Sequence, residues 1–372
     1  MNCPSEFDLD LDQWSDRINA QLKSARYPLS GIIELTDRCN LRCVHCYINQ
    51  PVGSLPAKQS ELNTAQVCQI IDAISSAGCL FLILTGGEVL VRPDFPEIYL
   101  HTLRAGILPT IFTNGTMITT EIADLLASAP PQGVDITLYG ATRETYEAVT
   151  QQPGSFDRCM NGIKMLLERG VHVSLKAMLL TINKHELNAM KAFADELGLK
   201  FRYDGTLWPR LDGDEQPYRY RISTEEMFEI DRADEERFAE WQRRAKEFSE
   251  IPIRKDYVFN CGAATRSFHI DSKGNLCACT MVRKPSYNLL EIPFDIAWEK
   301  LGELRKLKRQ KNTACETCLV GSLCAQCPGW SLLVHGDLET PVDFICNTGK
   351  FRYNYICKIE EVNYGAENLS GT

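Results

Sequence analysis

The chain has 372 residues, a length that allows one large domain and a smaller one. Hydrophobic residues make up 44% and charged residues 24%, a composition typical of a globular protein. Its net charge of −9 argues against sequence-independent binding of nucleic acid, which needs a basic surface. No apolar stretch is long enough to span a bilayer, and the acidic first residues do not form a signal peptide. We therefore expect a cytoplasmic protein with no membrane partner.

Short apolar runs alternate with amphipathic segments in the first half of the chain. The predicted strands cover residues 31–36, 79–86, 108–115, 134–140, 172–180 and 200–204. Helices are predicted between them, including 64–78 and 155–170. Continuous apolar strands separated by helices indicate a parallel sheet covered by helices. The sequence therefore predicts an α/β fold, either a partial (β/α) barrel or an open doubly wound sheet, with its functional residues at the carboxyl ends of the strands.

The second half of the chain has a different character. A polar connector leads to a charged helix predicted at 223–248, which begins with a Ser/Thr-x-x-Glu cap. Beyond Cys261 the chain is rich in cysteine and interrupted by Gly and Pro, which indicates a small domain held together by metals. The predicted parts are an N-terminal segment (1–30), a core (31–222), a bridging helical region (223–258), a cysteine-rich domain (259–358) and a C-terminal tail (359–372).

Sixteen cysteines in a cytoplasmic protein favour metal or cluster ligation over disulfides. Three lie within 39–46, seven lie between Cys277 and Cys346, and Cys261 lies just upstream. The remaining five are isolated, and we expect them to be small buried hydrophobic residues. These five are Cys3, Cys68, Cys79, Cys159 and Cys357.

The first cysteine group, "TDRCNLRCVHCY" (36–47), directly follows the first predicted strand. Three thiolates can hold three irons of a [4Fe–4S] cluster and leave the fourth iron open to a ligand, as a catalytic zinc site keeps one position vacant. The alternative is a zinc knuckle completed by His45 or a distant residue. His45 is poorly placed for that role because it is adjacent to Cys46.

The pattern Cys39-x3-Cys43-x2-Cys46 after the first strand of a (β/α) fold resembles the radical S-adenosylmethionine (SAM) superfamily. The resemblance implies that the three cysteines hold three irons and that the amino and carboxylate groups of SAM chelate the fourth. It also implies a partial (β/α)6 TIM-like barrel, reductive cleavage of SAM to a 5′-deoxyadenosyl radical, and a reducing partner such as flavodoxin or ferredoxin. His45 stands where the family usually has an aromatic residue.

Further motifs are similar to the cofactor-binding segments of this family. "LTGGEVL" resembles the GGE motif, whose backbone and acid receive the methionine ammonium group, and "VDITLYGA" resembles the strand that passes the SAM ribose. "FTNGT" is expected to line the cofactor or substrate site. Lys176 is expected either to point toward the same face or to be an ordinary surface lysine. The residues implied at the cofactor are Gly86, Gly87, Glu88, Thr113, Asn114, Thr137 and Lys176. The arginine that many relatives use for the SAM carboxylate has no counterpart in "TQQPGSF".

The C-terminal cysteines resemble the SPASM extension of radical SAM enzymes, a small α+β domain with two auxiliary [4Fe–4S] clusters. The resemblance assigns the outer cluster to Cys315, Cys318, Cys324 and Cys346, and the inner cluster to Cys261, Cys279 and Cys327. The last spacing is x2 where the family usually has x3. Cys277 is either a fourth inner ligand or a spectator. Two structural zinc sites are the alternative that the spacings alone allow.

The resemblance implies three [4Fe–4S] clusters and a hydrogen abstraction, and we expect the substrate to be a ribosomally made peptide that is crosslinked, given a thioether or excised. Only thirty residues precede the first predicted strand, so a separate leader-recognition protein is expected to deliver the peptide. The alternative is a small-alcohol or sugar dehydrogenase or a sulfatase-type maturase, with Asp204 or Tyr203 as its base. A simple electron carrier would not need an open iron.

Overall fold

A computed structural model describes residues 26–48, 50–249, 256–318, 320 and 323–367. The strands are β1 (Ser30–Glu34), β2 (Arg38–Cys39), β3 (Gln50–Pro51), β4 (Phe81–Thr85), β5 (Leu108–Thr113), β6 (Gly133–Thr137), β7 (Val173–Met178), β8 (Lys200–Asp204), β9 (Ser267–Ile270), β10 (Asn275–Cys277) and β11 (Tyr287–Asn288).

The α-helices follow the same chain order. They are α1 (Leu55–Ser60), α2 (Thr64–Ser76), α3 (Phe95–Arg104), α4 (Thr120–Ser128), α5 (Arg143–Thr150), α6 (Ser155–Leu167), α7 (Leu187–Glu196), α8 (Thr224–Ala233), α9 (Glu235–Ser249), α10 (Phe294–Leu301), α11 (Pro328–His335) and α12 (Asp343–Glu367). All six strands predicted in the first half are present within one or two residues at most ends.

The main sheet has nine strands in the order β11-β10-β9-β1-β4-β5-β6-β7-β8. The six strands from β1 to β8 in this order are parallel and adjacent in chain order. A doubly wound sheet would reverse its strand order at a switch point, and this sheet does not. The structure therefore confirms the α/β prediction and selects the partial barrel.

Local signals explain the helix boundaries and one wrong prediction. Helix α2 begins at a capping box formed by Asn63 and Gln66, and α8 begins at the predicted box of Ser223 and Glu226. The single helix predicted at 223–248 is divided, because Asp234 adopts an extended backbone. Its carboxylate accepts the backbone N–H of Arg237, at a distance of 3.2 Å, and so caps the second helix.

The cysteine-rich region is continuous with the barrel sheet. Strand β9 pairs in parallel with β1, β10 pairs antiparallel with β9, and β11 pairs antiparallel with β10. The proposed boundary at 258/259 therefore separates parts that share one sheet, and the boundary at 358/359 lies inside α12. Within the described ranges, no helix has the length and apolar character needed to cross a membrane.

The isolated cysteines follow the prediction where the structure describes them. Cys79 and Cys159 are buried in the main core, and Cys68 is half-buried on α2. Cys3 and the side chain of Cys357 lie outside the described residues.

Candidate active site

The loop that carries the first three cysteines is fixed by backbone hydrogen bonds to the end of α5. Arg42 N donates to Thr150 O at 2.9 Å, and Val44 N donates to Val149 O at 3.0 Å. A further bond closes the loop, from Cys46 N to Cys43 O at 3.0 Å. The loop thus follows β1 and lies at the carboxyl edge of the barrel, as the sequence predicts.

The three thiols lie close enough to influence one another electrostatically. Burial raises the pKa of Cys43, and the neighbouring charges of Cys46 and Cys39 raise it further. Two N–H donors point at the Cys39 sulfur: Leu41 N at 3.4 Å and the Asn114 amide at 3.7 Å. Thiols in an apolar site with donors aimed at sulfur suit iron-bound thiolates, whose potential such hydrogen bonds adjust.

The arrangement of the thiols bears on the kind of metal site that this loop could form. Among the described residues, no three His, Cys, Asp or Glu side chains are grouped as the ligands of one ion. A cubane cluster instead gives each thiolate its own iron, so its ligands need not converge on one point. The residues present therefore fit a cluster held by three cysteines.

Two glycines bring the end of β4 against the cysteine loop. Gly86 has a φ of +145°, and a Cβ on it would lie 2.2 Å from the carbonyl oxygen of Thr36. A Cβ on Gly87 would lie 2.3 Å from Arg38 O. This close approach allows Gly87 N to donate to Thr36 O at 2.8 Å and Glu88 N to donate to Arg38 O at 2.9 Å. The glycines are required by contact between two segments of the chain.

The carboxylate of Glu88 connects the ends of β4 and β5. It accepts the Thr113 hydroxyl and the Asn114 N–H, each at 2.7 Å, and the Leu90 N–H at 3.1 Å. Burial raises its pKa, although these hydrogen bonds favour the charged form. The structure gives Glu88 this positioning contact, and its predicted contact with the methionine ammonium group stays a prediction.

Asn114 extends the same network to the cysteine loop. Its amide donates to Asn40 Oδ1 at 2.9 Å as well as approaching the Cys39 sulfur, and its own oxygen accepts the Thr116 N–H at 2.9 Å. The predicted residues Glu88, Thr113 and Asn114 are therefore gathered beside Cys39.

Thr137 and Lys176 occupy neighbouring strands of the same edge, because β6 and β7 pair these two residues in register. Asp204 lies farther along β8, opposite Met178, and is exposed. Its carboxylate accepts the Thr206 N–H at 2.7 Å. Tyr203 points to the other side of the sheet, where its hydroxyl donates to Asp234 at 3.1 Å.

A buried carboxylate that the sequence analysis did not single out lies on β1. Glu34 binds the Arg283 guanidinium through two contacts of 2.7 and 2.9 Å, and His269 Nε2 lies 3.3 Å away. Burial opposes its ionisation, but the contacts with His269 and Arg283 lower the pKa of Glu34 to about 2. An acidic residue inside the apolar strand "GIIELT" was the available signal.

The C-terminal thiols lie in two groups of neighbours, one made of predicted inner ligands and the other of predicted outer ligands, and their ligand roles stay predictions. Burial raises the pKa of Cys279, and Cys327 and Cys261 raise it further, so these three are neighbours. In the second group, Cys324 donates a hydrogen bond to Cys346, which lowers the pKa of Cys346 and raises that of Cys324. Cys315 adds to the rise at Cys324. Cys318, the fourth predicted outer ligand, is half-buried in the same region.

Cys277 is placed differently from the other cysteines of this region. It is 1% exposed on β10, and its S–H donates to the carbonyl oxygens of Asn275 at 3.4 Å and Arg283 at 3.7 Å. A thiol directed at two carbonyls favours the spectator interpretation over a fourth inner ligand.

Comparison with known proteins decides the family. The model of the radical SAM superfamily matches residues 33–196. An AdoMet-dependent heme synthase of Methanosarcina barkeri is 30% identical over 349 residues, which cover 85% of this chain and 96% of that protein. The chain belongs to the radical SAM superfamily. The family membership predicted from the cysteine pattern is confirmed, and the iron-ligand role of Cys39, Cys43 and Cys46 stays a prediction.

Other radical SAM proteins resemble this chain over shorter or more divergent alignments. The subtilosin biosynthesis protein AlbA of Bacillus subtilis is 27% identical over 264 residues, 69% of this chain and 56% of that protein. A solved structure of Streptococcus suis SuiB bound to precursor peptide SuiA superposes with a TM-score of 0.68 at 16% identity, covering 93% of this chain and 83% of that one. At this identity, the superposition shows the fold alone.

Proposed function

We propose that this radical SAM enzyme oxidatively modifies a ribosomally made peptide and that its C-terminal region is a SPASM domain with two auxiliary [4Fe–4S] clusters. The observation that carries the proposal is the separation of the thiols into three groups, one of three cysteines at the barrel edge and two in the C-terminal region. With a [4Fe–4S] cluster and SAM at the first group, the chemistry supplied is reductive cleavage of SAM and hydrogen abstraction by a 5′-deoxyadenosyl radical.

The residues of the chain prepare this site. Asn114 and Asn40 hold the loop of Cys39 against the end of β5, and Gly87 holds the same loop against β4. Cys43 and Glu88 are buried, so water is kept from the base of the site. Positioning and exclusion of water are what a radical reaction requires of a protein.

A small cavity supports a peptide as the substrate. Its volume is about 120 Å³, and sites for whole drug-sized ligands measure about 300–1,000 Å³. The space suits one amino-acid side chain near the inner thiol group. Its walls include Thr206, Trp208, Met281, Cys327, Trp330 and Phe344. The resemblance to AlbA and to the peptide-bound SuiB structure supports the same substrate class.

A tetrapyrrole substrate is the second candidate, because the match to the heme synthase covers 96% of that relative. Oxidation of a small alcohol or sugar and sulfatase-type maturation use the same radical chemistry and stay alternatives. For the peptide reaction we further propose a cytoplasmic setting, a separate protein that delivers the leader peptide, and flavodoxin or ferredoxin as the electron donor.

One experiment tests these proposals in order. The reconstituted enzyme is incubated anaerobically with SAM and dithionite, and 5′-deoxyadenosine is measured. A candidate precursor peptide, taken from a short reading frame beside the gene, is then co-expressed and examined by mass spectrometry, with Fe-coproporphyrin III as the competing substrate. A mass change in the peptide supports the proposal. Turnover of the porphyrin alone selects the second candidate, and absence of 5′-deoxyadenosine overturns both.

A further inference from the structure

A lysine without an acidic partner of its own lies on the concave side of the barrel sheet. Along β7, Val173, Leu175 and Ala177 are buried and Lys176 lies on the opposite face. In register it pairs with Thr137 on β6 and Arg202 on β8. Lys176 therefore lies beside a residue implied at the cofactor, near the carboxyl edge where the cysteine loop is held.

The amine lies against an aromatic ring and has no carboxylate partner among the described residues. Its Nζ lies 3.0 Å from the centre of the Phe112 ring on β5. The charged groups that face it are Asp135 on β6 and Arg202 on β8, and these two form an ion pair with each other. In the part of the chain that the structure describes, no carboxylate lies within ion-pair distance of Nζ.

Burial gives the amine a substantial neutral fraction near physiological pH, whereas the Asp135 carboxylate and the Phe112 ring favour its charged form. Burial lowers the pKa of Lys176 to about 7; the Asp135 carboxylate opposes the shift and the Arg202 guanidinium adds to it. A neutral lysine amine has a lone pair and accepts protons most effectively when its pKa is near the working pH. Asp204, the base predicted from the sequence, is exposed and already accepts the Thr206 N–H.

We propose that Lys176 is the proton acceptor of the active site and takes a proton from an O–H or N–H group of the substrate next to the carbon that is oxidised. The O–H or N–H bond breaks and leaves its electron pair on the substrate atom. The lone pair of Nζ forms the new N–H bond, and the resulting ammonium later returns the proton to solvent. The inference deepens the proposed function, which supplies the oxidation, and assigns the acid–base group that was missing from it.

The first test titrates the amine without any substrate. The holoenzyme is labelled with trace acetic anhydride under anaerobic conditions from about pH 5 to 11, and acetylation of Lys176 and Lys200 is measured by mass spectrometry. Lys176 should react with a midpoint within about one unit of 7, well below the ordinary lysine value of about 10.4, and exposed Lys200 provides the comparison in the same sample. A midpoint near 10 for Lys176 overturns the inference.

The second test separates proton transfer from charge. Lys176→Met removes the amine, and Lys176→Arg keeps a positive charge that cannot be given up. Both should reduce modification of the co-expressed precursor peptide at least about 100-fold. Lys200→Met, on the neighbouring strand, is the matched control and should leave that modification unchanged.

The outcomes distinguish a failure of the inference about Lys176 from a failure of the proposed function. Full peptide modification by Lys176→Arg would show that charge suffices, and full modification by both variants would show that the residue is dispensable; either result overturns the inference. If the wild-type enzyme forms no 5′-deoxyadenosine, the proposed function fails, and the titration still decides the state of Lys176.

Discussion

The two cysteine regions are held by very different amounts of protein structure. The loop of Cys39, Cys43 and Cys46 packs against the main core and is bonded to both α5 and the end of β4. Among the C-terminal cysteines, Cys324 and Cys327 pack against a separate apolar cluster that has three buried members among the described residues: Trp330, Val342 and Ile345. Cys279 packs against the edge of the main core, and Cys261 is exposed.

This difference indicates which site is shaped by the fold and which by its ligands. A loop fixed by strand ends and backbone hydrogen bonds keeps its geometry when the metal is absent, since its order does not depend on ligation. A small region with few apolar contacts depends on metal binding for its stability. The first site must be rigid because it holds a reactive group in place. The C-terminal region needs only to keep its clusters bound.

The largest expected effect comes from removing one ligand of the first group. Cys43→Ala should abolish 5′-deoxyadenosine formation and reduce the iron content from about twelve to about eight per chain, because the two C-terminal sites keep their irons. Anaerobic iron analysis and product assay measure both quantities. Cys68→Ala, at a half-buried cysteine outside the three groups, is the control. Surviving cleavage of SAM by Cys43→Ala would show that this loop is not the radical site.

Removal of iron tests directly whether the two cysteine regions differ in their dependence on metal. After anaerobic chelation, amide exchange in residues 323–346 should accelerate by about 100-fold or more, because the ligands that stabilise this region are lost. Exchange at Val44 and Cys46 should change much less, since their N–H groups bond to the chain itself. Hydrogen exchange with mass spectrometry measures both regions in one sample. Equal acceleration in both would contradict the difference in preorganisation.

Much of the fold was predictable from the sequence because its signals are local. Apolar strands, helical periodicity and capping boxes each lie within a short window, and the order of six β/α units followed from them. The break at Asp234 was missed because part of its cause is tertiary: besides capping Arg237, the Asp234 carboxylate accepts from Lys191 and Tyr203. The sharing of one sheet by β1 and β9 was missed because a pairing over more than two hundred residues has no local signal.

The features of the site also divide into those with a local sequence signal and those without one. Cysteine spacing predicts the cluster ligands because the ligand pattern of a cluster lies in short motifs. The polar contacts around the site could not be predicted. Glu34 and Arg283, for example, are far apart in the sequence and meet only in the folded chain. Glu88 and the two glycines were found by motif, but their contacts with Thr113, Asn114 and the Thr36–Arg38 backbone required coordinates.

An intermediate effect is expected at the ion pair that joins the two regions. Glu34→Gln leaves the Arg283 charge without its partner and should lower the local free energy of opening by about 3 kcal/mol, measured by amide exchange in β1 and β9. Glu299→Gln removes an exposed contact with Arg26 and should cost below about 1 kcal/mol.

The pH dependence of that loss has a definite sign. The folded pKa of Glu34 is about 2, below the ordinary value of about 4.3. Its stabilisation is therefore fully present above about pH 4.3 and is lost as the pH falls toward 2. The difference between wild type and Glu34→Gln should be constant near neutrality and shrink below about pH 4. A difference that persists at low pH would mean that the charge is not its source.

The smallest effect is expected at Cys277, the cysteine of the C-terminal region that we interpret as a spectator. Its thiol is directed at the carbonyl oxygens of Asn275 and Arg283, whereas Cys279 lies with Cys261 and Cys327. Cys277→Ala should therefore keep about twelve irons per chain and lose only about 1 kcal/mol of stability from the small cavity it leaves. Cys279→Ala, two residues away, should lose about four irons. Loss of about four irons by Cys277→Ala as well would make it the fourth inner ligand. The inner cluster would then be closed by protein and unable to bind a substrate directly.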